Sequence, residues 1–112
     1  MVTNVYEQYF EARHTASGAD RHAVLVMLTA DSEAGRIKYE AAASFFPHND
    51  PEDYAVSYDD LFSKILFEGK GRRSKKREAA FMESFREEID RLVSEADAEV
   101  FWERPLREAR LG

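Results

Sequence analysis

The chain has 112 residues, of which 44% are hydrophobic and 12% aromatic, a composition typical of one folded globular domain. It contains no cysteine, which excludes disulfides, thiolate nucleophiles and cysteine-ligated zinc or iron–sulfur centres. The formal net charge of −6 opposes nucleic-acid binding over the whole surface, because phosphate contacts depend on lysine and arginine.

The basic residues are distributed unevenly along the chain. Six of the eight residues from Lys70 to Arg77 are basic, and without them the sequence has 10 basic and 22 acidic residues, a net charge of −12. Binding to any anionic partner is therefore expected to be local to this segment.

Two features of the sequence bear on its location. The first ten residues, MVTNVYEQYF, have no basic start and no continuous apolar stretch, so no secretory signal is visible. The longest apolar run, Ala23–Leu28, is far too short to cross a bilayer. We therefore expect a soluble cytoplasmic protein.

Strand patterns dominate the first half of the chain. Ala23–Leu28 is short, apolar and rich in β-forming residues, as in a central strand. Arg36–Phe46 alternates between two faces, the more apolar of which carries Ile37, Tyr39, Ala41, Ala43 and Phe45. Between these strands, Asp31–Gly35 contains small polar residues and ends in glycine, which predicts a hairpin.

The N-terminal segment, residues 3–15, fits two structures. Its apolar residues follow helical spacing, but the same stretch also alternates as a strand. We favour the strand, joined to the next one by a turn at Ala16–Asp20 that is centred on Gly18. The first three strands then form an antiparallel meander.

The second half is predicted to contain two helices and a strand. A helix from about residue 75 to 96 follows Ser74 as N-cap, and Tyr58–Phe67 predicts a short helix before it. Glu99–Glu103 predicts a short final strand that stops at Pro105. The apolar stripe of the long helix consists of Phe81, Met82, Phe85, Ile89, Leu92, Val93 and Ala96.

Together these elements predict a single α+β domain. It consists of an antiparallel meander of about three strands and a short C-terminal strand, with the long amphipathic helix packed on one face of the sheet. The compact domain is expected to cover residues 1–104. Residues 105–112 are expected to form a polar C-terminal tail.

The basic run is the first candidate site. Its members are Lys70, Arg72, Arg73, Lys75, Lys76 and Arg77. The run is not a Walker phosphate loop, because Gly71 is followed by Arg72, and it has no interleaved aromatics to stack nucleic-acid bases. Three interpretations stay open: a solvated loop and first helical turn, a contact for nucleic acid, and a contact for an acidic protein surface.

Histidines and aromatics provide the other candidates. A first hairpin centred on Gly18 places His14 opposite His22, which predicts either a surface metal pair or two solvated histidines, and we favour the second. Phe46 and Trp102 either pack in the core or a loop, which we favour, or serve as apolar anchors for a partner or for self-association.

No pattern in the sequence predicts catalysis. There is no HExxH, no nucleophile elbow and no dinucleotide fingerprint, and the neighbouring acids Asp59 and Asp60 diverge on any regular element. We expect a small non-catalytic interaction or accessory domain with no cofactor, no metal and no membrane contact. The candidate partners are an acidic protein surface bound through residues 70–77 and a second copy of the chain. Weak nucleic-acid binding through the same residues is the alternative.

Overall fold

The structure, a computed structural model, describes residues 1–14, 22–47 and 60–106. These residues form β1 (Val2–His14), β2 (His22–Glu33), β3 (Arg36–Pro47), β4 (Asp60–Lys70), α1 (Lys75–Ser94) and β5 (Ala98–Leu106). All neighbouring strands are antiparallel, in the order β4-β3-β2-β1-β5. The α+β class is therefore confirmed, with five strands instead of four and one helix instead of two in the described ranges.

The meander of β1, β2 and β3 agrees with the sequence analysis. Residues 2–14 form a strand and not a helix, and β2 and β3 pair continuously from His22↔Pro47 to Glu33↔Arg36. The turn between them is only Ala34 and Gly35, both with positive φ (52° and 76°), as in the two-residue turns that match the twist of a hairpin. The predicted turn at Ala16–Asp20 lies outside the described residues.

The core lies between α1 and one face of the sheet. Phe85, Ile89 and Val93 of α1 are buried there, which confirms the predicted apolar stripe. They pack on the face of β3 that carries Ala41, Ala43 and Phe45, as the alternation in the sequence indicated. The small alanine side chains on β3 leave room for the larger side chains of α1. No helix in the described ranges combines the length and the apolar character needed to cross a membrane.

The predicted short helix at Tyr58–Phe67 is wrong, because residues 60–70 form β4 and pair with β3. The error has a physical cause. Apolar residues at positions 61, 62, 65 and 66 form one stripe on a helix, but a spacing of four is also two strand periods. In β4 the four residues divide between the two faces of the sheet: Phe62 and Leu66 contact the core, while Leu61 and Ile65 lie on the other side.

The final strand is longer than predicted. β5 pairs with β1 at the far edge of the sheet and continues through Pro105, which lies opposite Phe10 next to a bulge. A proline is tolerated there because an edge strand has no second neighbour that needs its N–H. β5 therefore includes Pro105 and Leu106, two residues that were assigned to the tail. Val100 and Trp102 face the core.

Candidate functional site

The basic segment, defined as residues 70–77, runs from the end of β4 into the first turn of α1. Lys70 is the last residue of the strand, and Ser74 is the N-cap, whose hydroxyl accepts a hydrogen bond from the Arg77 N–H at 3.2 Å. The segment therefore joins the sheet to the helix, and its side chains lie at one end of the sheet beside the β2–β3 turn. That position follows from the Gly71 N–H, which donates to the Gly35 carbonyl at 2.9 Å.

Arg73 is tied to the domain by a polar network at the start of α1. Its Nε and Nη2 donate to Glu78 Oε2 and Oε1 at 2.9 and 3.0 Å, a bidentate geometry. The Tyr39 hydroxyl donates to Glu78 Oε2 at 2.7 Å and accepts from the Ser74 N–H at 3.0 Å. Glu78 is 8% exposed and Tyr39 is fully buried, so the network fixes the helix to β3.

The network shifts the ionisation of its members. The hydrogen bonds from Arg73 hold the pKa of the Glu78 carboxyl below its ordinary value, against the opposing effect of burial. The same ion pair raises the pKa of Arg73. Burial raises the pKa of Tyr39, so its hydroxyl stays protonated and able to donate. These three groups stabilise the fold, and two of the three nitrogens of the Arg73 guanidinium are bonded to Glu78.

A second base of the segment is also engaged within the domain. The Arg77 guanidinium lies 3.8 Å from the centroid of the Phe67 ring, which is the geometry of a cation–π contact. Phe67 belongs to the small cluster around Ile37 and Tyr39, and Arg77 covers it from the solvent side. In the sequence all six bases look alike, and no signal there distinguishes Arg73 and Arg77 from the other four.

All six bases of the segment are exposed; four of them are not engaged by Glu78 or Phe67, and the fold adds a fifth to these four. Arg36 at the start of β3 lies directly opposite Lys70 of β4. We call this group the basic surface; it consists of Arg36, Lys70, Arg72, Lys75 and Lys76. None of its members lies within ion-pair distance of a carboxylate in the described part of the chain. Like charges that face each other across two strands destabilise a sheet, so an anion at this position would relieve repulsion.

The depression beside the basic surface is not suited to a small anion. The adjoining depression of about 300 Å³ is lined by Asp31, Glu33, Ala34, Arg36, Ile37, Lys38 and Glu68. Three carboxylates in this lining repel an anionic ligand that enters it. The basic surface is thus an exposed charged area, suited to a partner that lies across it.

The structure does not bring Phe46 and Trp102 together. Phe46 is 2% exposed on the face opposite α1, where its ring meets Tyr9 edge-to-face at 6.1 Å. Trp102 lies on the α1 face between the rings of Phe10 and Phe85, and its Nε1–H donates to Asp90 at 2.9 Å. Phe46 is also ten residues from Arg36 along β3, roughly 33 Å at the usual rise per residue. Both aromatics pack within the domain, away from the basic surface.

The expected histidine pair is wrong. His22 lies opposite Ala12, so β1 and β2 are offset by two residues from the register that would pair it with His14. His14 lies opposite Ala98 instead, where it is buried and stacks on the Phe45 ring at 5.2 Å. It is therefore part of the core and not a solvated residue. Within the described ranges, no group of three or more histidine, aspartate or glutamate residues could hold a metal ion.

Gly71 gives a first test of this geometry. Its φ of +129° is a backbone conformation that L side chains rarely adopt, although a Cβ there would meet open space. We expect Gly71→Ala to lower the free energy of unfolding by about 1 kcal/mol, from backbone strain alone. Urea denaturation measures this, with the neighbouring exposed Arg72→Ala as control. Equal midpoints for the two variants would contradict the assigned conformation.

Comparison with known proteins identifies no relative of this chain. No family model, no curated protein and no solved structure matches the chain significantly.

Proposed function

We propose that the chain is a small non-catalytic interaction domain that binds an acidic protein surface through the basic surface. The observation that carries this proposal is the division of the basic segment: Arg73 and Arg77 contact Glu78 and Phe67 of the domain, while the other four bases have no such contact in the described ranges and gain Arg36 as a neighbour. Charge concentrated in this way on an acidic domain gives a preferred orientation for approach to an anionic partner.

The helix N-terminus strengthens the same argument. Lys75 and Lys76 lie in the first turn of α1, where positive side chains interact unfavourably with the helix dipole. An anionic partner would reduce both the repulsion among the bases and the unfavourable interaction of Lys75 and Lys76 with the helix dipole. The local cost to the free domain is therefore offset by a gain in the complex.

Nucleic acid is the weaker candidate. Single strands are bound by basic grooves that also offer exposed aromatic rings for stacking. Here the nearest ring, Phe67, is already covered by Arg77, and the acidic residues of the rest of the chain repel phosphates at longer range. An acidic protein surface needs no stacking platform, and its charges are spread widely enough to match an open patch.

The proposal is tested by reversing the charge of Lys75 and Lys76. The double variant K75E/K76E places acids at the helix N-terminus, where negative side chains interact favourably with the helix dipole. We therefore expect the fold to tolerate the change. Fluorescence anisotropy with a labelled poly-glutamate peptide is expected to show binding at low salt, with the variant about tenfold weaker. Added salt should reduce binding by the unmodified chain.

The matched control is R13E/R86E, which changes the net charge equally but lies away from the basic surface. Arg13 lies opposite Glu99 and Arg86 lies 5.2 Å from the centroid of the Trp102 ring, so circular dichroism is used first to show that both double variants are folded. Binding that falls equally in both variants would mean that net charge alone is measured. A labelled oligonucleotide that binds more tightly than the peptide would favour the nucleic-acid alternative.

A further inference from the structure

The outer edge of β4 differs from the outer edge of β5. Among the described strands, β4 pairs with β3 only, so one side of an eleven-residue strand presents its N–H and carbonyl groups outward. Natural edges are commonly protected by proline, by bulges and by charged residues. Both strands carry charged side chains, but only β5 contains a proline, Pro105. β4 has no proline, and its bulge begins only after Ile65, where β3 shifts from Glu40 to Tyr39.

The regular part of β4 carries exposed apolar side chains. Leu61 is 65% and Ile65 is 49% exposed, and apart from two residues at the N-terminus they are the exposed large hydrophobics of the described ranges. Their partners on β3 are Ser44 and Glu40, which places both on the face opposite α1. They lie two residues on either side of Ser63, so the pattern is symmetric about that residue.

From this symmetry we propose that β4 pairs with β4 of a second copy of the chain, antiparallel and centred on Ser63. The two sheets then continue as one, with both helices on the same side. Leu61 of each copy lies beside Ile65 of the other, so all four exposed apolar side chains become covered. The interface lies at a different place from the basic surface and does not depend on the proposed function.

The charges on β4 select this register from its neighbours. A two-fold axis between antiparallel copies of one strand passes through a residue, because only then do opposite residues share a face. An axis through Lys64 places two lysines opposite each other, which is destabilising. An axis through Phe62 places Leu61 opposite Ser63, so Leu61 and Ile65 do not meet. The axis through Ser63 places Lys64 beside the Phe62 ring of the other copy, which allows a cation–π contact.

The expected association is weak. The paired segment has five residues in each copy, so the buried area lies well below the roughly 1,600 Å² of a standard interface. Each copy also carries a net charge of −6, and screening of this repulsion by salt should strengthen the dimer. Salt therefore acts in opposite directions on the dimer and on the binding of an acidic partner.

The register is tested with two single variants, Leu61→Glu and Ile65→Lys, in sedimentation velocity over a range of concentrations. Both side chains are exposed, and Lys at position 65 lies opposite Glu40, so the fold should tolerate either change. Each variant alone is expected to stay monomeric where the unmodified chain dimerises. An equimolar mixture should recover the dimer, because Glu at position 61 then faces Lys at position 65 while Leu61 and Ile65 face each other once. Val2→Lys, at an exposed apolar residue on β1, should dimerise normally.

A covalent test follows from the absence of native cysteine. Ser63→Cys places two thiols opposite each other at the axis and should form an intermolecular disulfide at least tenfold faster than Ser94→Cys, an exposed control at the end of α1. An unmodified chain that stays monomeric at all concentrations, a mixture that stays monomeric, or equal rates of cross-linking at the two positions would each overturn the proposal.

Discussion

Phe85→Ala is expected to lower the free energy of unfolding by about 3–5 kcal/mol, a large fraction of the stability of a small domain. Phe85 lies in the middle of α1 and is 1% exposed. Its ring meets Tyr6 edge-to-face at 5.3 Å and Trp102 at 6.4 Å, so truncation opens a cavity between the helix, β1 and β5. The neighbouring elements are joined by continuous sheet hydrogen bonds and can close this cavity only in part.

The control is Glu87→Ala, two residues further along the same helix. Glu87 is exposed, and its replacement by the best helix former should change the stability by less than about 0.5 kcal/mol. Urea denaturation followed by circular dichroism compares the two. Similar midpoints for both variants would show that α1 presents a different face to the sheet.

Removal of the Glu78 carboxylate is expected to have the second largest effect. Glu78→Gln keeps the shape of the side chain but breaks the bidentate pair with Arg73 and weakens the bond from the Tyr39 hydroxyl. Hydrogen bonds to a buried charged group contribute more than neutral ones, and we expect a loss of roughly 2–3 kcal/mol near neutral pH. Glu83→Gln, at an exposed position of α1, should cost almost nothing.

The pH dependence separates this network from simple loss of packing. The folded pKa of Glu78 is lowered from the ordinary value of 4.5, so its stabilising effect is present above that value and disappears as pH falls through the folded pKa. The difference in stability between the unmodified chain and Glu78→Gln should therefore be constant near neutral pH and shrink below about pH 4.5. Glu88, whose pKa is lowered by Lys64, titrates in both proteins and cancels in the comparison. A difference that does not change with pH would contradict the ion pair.

Much of the site geometry had no signal in the sequence. The basic segment was visible as a run of charge, but the sequence does not show that Glu78 engages Arg73 and that Phe67 engages Arg77. The first contact belongs to a network that also includes Tyr39, 39 residues before Glu78. Arg36 joined the basic surface only because β3 pairs with β4. Phe46 and Trp102 were grouped as candidate anchors because both are aromatic and end a strand pattern, yet the sheet separates them.

Sequence patterns determined the elements whose periodicity fits only one type of secondary structure. The apolar residues of the stripe through Phe85 and Ile89 recur at helical spacing, which strand alternation does not match. The alternation of Arg36–Phe46 fits a strand and no helix. The local pattern alone therefore decides both elements. The hairpin at Gly35 follows in the same way, because a turn with positive φ favours glycine.

Tertiary structure decided the elements whose pattern has two solutions. Leu61, Phe62, Ile65 and Leu66 fit either a helix or a strand, and the open edge of β3 selects the strand because it supplies hydrogen-bond partners that an isolated short helix lacks. The register of β1 on β2, and with it the burial of His14, depends on which residues face the core across the whole sheet. Periodicity is a local property of the chain, whereas the choice of neighbour for an edge strand is made only when the sheet assembles.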